Sequence, residues 1–185
     1  MTIRNAALLL AASMTLSACG FMSRTKSSFY TIEPVPGTVT AIQGVPIAVD
    51  IVELPPGFDR KEIVVRQADG QLEIRETQQW TALLEPSVLH AVAFNLAGRL
   101  PEGMVILPGQ AIPAGGTRSI DLMFEEIVAG PANEIVIDVR WTIRGGATHH
   151  ERIVTPISSL DSGEIASGLS RALATLAERI LGRLG

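Results

Sequence analysis

The chain holds a single cysteine, Cys19, in 185 residues. No intrachain disulfide can form, so burial must supply the stability of whatever folds. Aromatic residues are scarce, at 4%, which leaves Val, Ile, Leu and Ala to fill a core. Cations are not in excess: without the one basic residue of the first eighteen, Arg4, 14 basic residues face 19 acidic ones, a net charge of −5. That balance excludes the basic footprint of a nucleic-acid binder and a surface that holds anionic head groups by charge alone. Beyond the amino terminus no apolar run approaches the ~20 residues of a spanning helix. The chain also lacks a Gly-x-Ser-x-Gly elbow, a phosphate loop, a dinucleotide fingerprint and a His-Glu-x-x-His site. What is left after the first residues has the length of one compact domain.

The amino terminus is more specific. Arg4 precedes a short apolar run from Ala6 to Leu16, followed by Ser17, Ala18, Cys19 and Gly20. A cation, an apolar core too short to span and small residues before a cut make a secretory signal peptide. The ending Leu16-Ser17-Ala18-Cys19 resembles a lipobox, in which a thiol takes a diacylglycerol and small residues fit the peptidase cleft. An ordinary signal with a chance cysteine is the bland alternative, and it would leave a lone exported thiol unpaired. Residues 1–18 are therefore read as a lipoprotein signal, 19–28 as the lipidated cysteine and a tether, and 29–185 as the folded body, a soluble periplasmic domain. The nine residues after Cys19 could reach about 30 Å. More than one acyl chain gives stable anchoring. Gly20 stands where an Asp would retain a lipoprotein in the inner membrane, so an outer-membrane address facing the periplasm is expected.

Along the body, strand character appears at residues 28–33, 46–54, 62–66 and 72–75, with Asp69-Gly70 as a hairpin turn between the last two. Glu85-Pro86 opens a helix with Leu89, Val92, Ala93 and Leu96 as its apolar stripe. Residues 104–107 form a short strand, and 108–117 a loop carrying Ile112, a candidate partner contact. Three antiparallel strands follow over 119–128, 134–144 and 150–155. In the second, Ile135, Ile137, Val139, Trp141 and Ile143 share one face and Asp138, Arg140, Thr142 and Arg144 the other, a face open to water or a partner. A helix over 162–184 presents Ile165, Leu169, Leu173, Leu176, Ile180 and Leu184, begun by a capping-box-like Asp161 and Glu164. The fold class expected is α/β: one domain, a mixed sheet with an antiparallel C-terminal half, and helices packed on it.

Chemistry is hard to find. His149 and His150 are placed in a hairpin turn, and as neighbours on extended chain they would point to opposite faces, a poor arrangement for sharing a metal. His90 lies one residue from the helix stripe and reads as partly buried. Ser87 with His90 lacks an oxyanion hole and an orienting carboxylate. Asp50, Glu53 and Asp59 are carboxylates that no motif pairs. No catalytic residue, metal or cofactor is expected, and the chain is not read as an enzyme.

One block is more distinctive: Val49, Asp50, Ile51, Val52, Glu53, Leu54 and Pro55, then Phe58, Asp59 and Arg60, then Glu62 to Arg66, with Trp80, Leu84 and the helix from Val88 to Leu96. With Phe29-Tyr30-Thr31 soon after Cys19 and a strand-rich half holding Trp141, it resembles the PqiC family of ABC-type transport auxiliary lipoproteins. The paired prolines and Gly57 depart slightly from the family pattern. The resemblance implies an accessory to an MCE-domain tunnel protein and its inner-membrane partner, at the outer-membrane end of a phospholipid route. It also implies a ring of copies. Asp59, Arg60, Arg66 and Trp80 match the family pattern, in roles read as structural: an Asp–Arg pair pinning a turn and a core tryptophan. The second reading is a structural or sensing envelope lipoprotein that binds a protein and moves no lipid. A lipid hydrolase is the third.

Overall fold

The computed structural model describes residues 26–184. The signal at 1–18, Cys19 and the tether up to residue 25 lie outside the described residues. The elements run β1 (Ser28–Tyr30), β2 (Ile47–Glu53), β3 (Glu62–Arg66), β4 (Leu72–Trp80), α1 (Leu84–Ala97), β5 (Val105–Ile106), β6 (Arg118–Gly130), β7 (Glu134–Ile143), β8 (Thr148–Pro156) and α2 (Ser162–Leu181). The strands form one curled mixed sheet with both helices packed on it, as the α/β expectation has it. Among the described residues, no helix is long and apolar enough to cross a membrane.

The long strand β6 organises the sheet. Along one edge it pairs antiparallel with β7, which pairs antiparallel with β8. Its other edge is shared: β2 runs parallel to its first half, and β3 meets it at Ala129. Outward from these lie β5 beside β2, and β4 then β1 beside β3. The period-two pattern of β7 explains why this half is so regular. Ile135, Ile137, Val139 and Trp141 are buried, while Asp138 and Arg140 turn to the other face. In β6, Ile120, Leu122 and Phe124 are buried until the register slips between Phe124 and Glu126, after which Ile127 and Ala129 take over. This bulge shifts the strand's parity by one residue.

The hairpin at Asp69-Gly70 forms as expected, although β4 continues to Trp80. Before it, Pro55, Pro56, Gly57 and Phe58 make a tight turn, closed by the Phe58 N–H on the Pro55 carbonyl (3.1 Å). Gly57 adopts φ +85°, the left-handed value a type II turn requires at its third residue. The turn buries Phe58 and aims Asp59 at the start of α1.

Both helices differ in detail from expectation. α1 starts at Leu84 and buries Val92, Ala93 and Leu96 of the expected stripe, with Leu89 half-buried, and Val88, Ala91 and Asn95 join the buried face because the helix meets α2 as well as β2. His90 is exposed rather than partly buried, stacked on Phe94 with ring centroids 4.2 Å apart. The capping box at α2 does not form. The Asp161 carboxylate accepts from the Ser159 hydroxyl (2.8 Å) instead of from the helix. The helix ends at Leu181, and Leu184 reaches the core from the following turn.

α2 lies close on the sheet because Gly168 has no side chain. A Cβ there would stand 2.9 Å from Ile135 Cγ1 and closer still to Ile157. Gly168→Ala is therefore expected to lower unfolding stability by about 1–3 kcal/mol through overpacking, read as a lower urea midpoint at constant slope. An unchanged midpoint would mean that the helix lifts freely from the sheet.

Candidate functional site

Two features stand out, one on the helix-free face of the sheet and one where the amino-terminal segment meets the helices. The first grows from the β6 bulge, which brings both Glu125 and Glu126 to the face that carries Asp138, Arg140, His150 and Arg152. Glu125 pairs with Arg140, and Glu126 with Arg66 and with Arg152 (3.1 Å). Asp138 takes Arg152 on one oxygen (2.9 Å) and His150 Nε2 on the other. The result is a ladder of matched charges across four strands. Beside it Val128, Val136 and Val154 stand opposite one another on β6, β7 and β8. The ligand-type atoms of Glu125, Asp138 and His150 lie within 4.8 Å of one another. Arg140 and Arg152 already neutralise those carboxylates, so the arrangement reads as an ion-pair network.

The second feature is a strap. Residues 31–46, between β1 and β2, run extended across both helices. The Glu33 N–H donates to Ser170 Oγ on α2 (3.0 Å), and the Val35 N–H to Asn95 Oδ1 on α1 (3.0 Å). Arg99, only 2% exposed, follows α1 and donates through Nη1 to the Val35 carbonyl (2.8 Å) and the Asn95 carbonyl (3.1 Å). Its Nη2 reaches Glu178 Oε1 in the last turns of α2 (2.8 Å). Gly37 lies so tightly on this guanidinium that a Cβ would stand 2.5 Å from Nε. The Thr40 N–H closes the strap on the Arg99 carbonyl (2.8 Å). Sequence reasoning missed Asn95 and Arg99. The available signal was two polar side chains at i and i+4 on the buried side of an apolar helix.

The residues singled out from sequence do not converge. Asp59 accepts from the Glu85 N–H (3.0 Å) and so caps α1, which Leu83 leaves without a side-chain cap. It does not pin a turn with Arg60, whose Nε is buried without a partner. Arg66 joins the charge ladder. Trp80 is buried at the end of β4, beside Phe58, Leu84, Ile165 and Leu169 around an apolar cavity of about 20 Å³. That is room for about one water and far less than the roughly 300 Å³ at which ligand pockets begin. His149 and His150 lie in β8 rather than in the turn before it, and they do face opposite ways. His149 stacks on Trp141 (4.3 Å), and His150 bonds Asp138. The Ser87 hydroxyl donates to the Leu83 carbonyl (2.8 Å) and meets no base. Asp50 pairs with Arg144 (2.6 Å), apart from Glu53 and Asp59. In the loop 108–117, Ile112 is 70% exposed.

Comparison with known proteins follows the fold. Residues 30–181 match the family described as the ABC-type transport auxiliary lipoprotein component. A crystal structure of an uncharacterized protein superposes with a TM-score of 0.69 at 15% identity, covering 86% of this chain and 99% of its own. Protein XCC0632 from Xanthomonas campestris, of the DUF330 family, superposes with a TM-score of 0.62 at 15% identity, covering 85% of this chain and 94% of its own. At such identity these likenesses establish the fold. No curated protein matches the chain.

The ladder makes stability depend on pH. Burial pushes the Asp138 carboxyl up, but hydrogen bonds from His150 and Arg152 outweigh it and hold the group below the usual aspartate range. A folded value below the unfolded one stabilises the fold above the unfolded value, and the gain is lost as pH falls through the folded one. Asp138→Asn should melt lower than the parent at neutral pH and show a flatter loss of Tm below about pH 4. Melting curves from neutral pH into acid check this; identical acid limbs would remove Asp138 from the effect.

Proposed function

The chain belongs to the family of ABC-type transport auxiliary lipoprotein components, and we propose that it is the membrane-anchored, non-enzymatic accessory subunit of an MCE-type lipid transport system. The observation that carries this reading is the extent of the family match. Residues 30–181 take in both helices, seven whole strands and the end of the eighth. In this reading Cys19 bears the acyl anchor, and the residues up to 28 tether the body to the periplasmic side of the outer membrane. The phospholipid route through an MCE-domain tunnel protein and its inner-membrane partner ends, in this reading, at the site that the anchored body marks.

The strap supports it: it fastens the chain that follows β1 onto both helices, so the body is one closed unit for a partner to dock on within the tether's reach of the membrane.

Affinity purification of the native lipoprotein with mass spectrometry tests the reading. The expected result is an acylated amino terminus at Cys19, with an MCE-domain protein and a permease recovered alongside. The Cys19→Ala chain should move to the soluble fraction and lose transport-dependent envelope integrity. A fully active Cys19→Ala chain would take the anchor out of the mechanism. Recovery of another envelope protein without any transporter would favour the structural or sensing role.

A further inference from the structure

Among the described residues, β8 is an edge of the sheet and pairs with β7 alone. Residues of an antiparallel strand alternately turn their backbone groups toward the partner and away from it. Ile157, just past β8, donates its N–H to the Asn133 carbonyl on the β7 side (2.9 Å). The even-numbered Arg152, Val154 and Pro156 therefore turn theirs to the open edge. A nine-residue open edge is a template for pairing with another chain.

Two of its carbonyls are occupied by the chain's own helix. Arg171 Nη2 donates to the Pro156 carbonyl (3.1 Å), and Arg179 Nη1 to the Arg152 carbonyl (3.1 Å). The spacings agree. Eight residues of helix rise about 12 Å, and four residues of strand about 13 Å, so one straight helix sets a donor at each end of the same stretch. Each arginine is steered from a second side, Arg179 by Glu151 (2.7 Å) and Arg171 by the Ser167 hydroxyl (2.8 Å). Pro156 has no N–H to offer, and Val154, 52% exposed, sits between the two occupied carbonyls.

We propose that Arg171 and Arg179 are edge guards, which hold the β8 edge closed against strand pairing with a second copy of this chain. The edge suits that occupant. Antiparallel pairing of two β8 strands about a two-fold at Ile153 sets Arg152 of one copy opposite Val154 of the other, so no like charges meet. Drawing both arginines off their carbonyls exposes a surface on which two sheets become one.

The test is the oligomeric state of the mature chain carrying Cys19→Ala, with and without Arg171→Gln and Arg179→Gln. Both arginines are exposed, and circular dichroism with melting curves establishes that each variant is folded. Sedimentation velocity should show the double variant dimerising at least tenfold more tightly than its parent. Adding Val154→Pro, which removes an edge-facing N–H, should return it to its parent's state of association. Single variants, each opening one end, should shift the equilibrium part of the way, and they stand in if the double variant does not fold. A folded double variant that associates no more than its parent overturns the proposal. So does association that survives Val154→Pro, or a parent already paired through β8.

Discussion

A buried guanidinium must find carbonyls or carboxylates on every side or destabilise the fold by several kcal/mol. Arg99 finds them where the carboxyl ends of two helices come together. α1 presents the Asn95 carbonyl, α2 presents Glu178, and the partial negative charge of helix carboxyl ends favours a cation at this place. A further acceptor, the Val35 carbonyl, belongs to neither helix. The strap is therefore the third wall of the arginine's site. Satisfying Arg99 and fixing residues 33–40 across the helix pair are one event, and Asn95 and Ser170 extend it by binding the strap's own N–H groups.

The two faces of the sheet divide the remaining work. The face under α1 and α2 is dry, built of Val, Ile, Leu and Ala, and closed tightly enough that Gly168 admits no Cβ. The opposite face is wet and close to neutral because its charges are matched in pairs. That neutrality starts with one extra residue, the β6 bulge, which turns two successive glutamates outward to meet arginines of β3, β7 and β8. A face of this kind is open to water without carrying a net charge.

Much of this fold was legible because the periodicities are local. The alternation of residues 134–144 identified β7 and its buried face, and the heptad-like spacing from Ile165 to Ile180 identified α2. Opposite orientations of His149 and His150 followed from extended geometry alone, even though both lie in β8 and not in the turn expected for them. What stayed hidden depends on partners far away in sequence. Asn95 and Arg99 acquire meaning only through Val35 and Glu178, 60 and 79 residues distant. Asp59 caps a helix 26 residues on, so its adjacency to Arg60 misled. The bulge at Glu125 is a one-residue slip of register, and an alternation count on either side of it gives no warning. Cys19 lies outside the described residues.

Native-state hydrogen exchange on the strap tests the account most directly. If Arg99 locks residues 33–40 to the helices, the Val35 and Thr40 amides exchange with protection close to that of α1. Arg99→Gln then releases both by at least tenfold, while amides of β6 and β7 keep theirs. Val35 and Thr40 amides that exchange at loop rates in the parent, or that Arg99→Gln leaves unchanged, would contradict it.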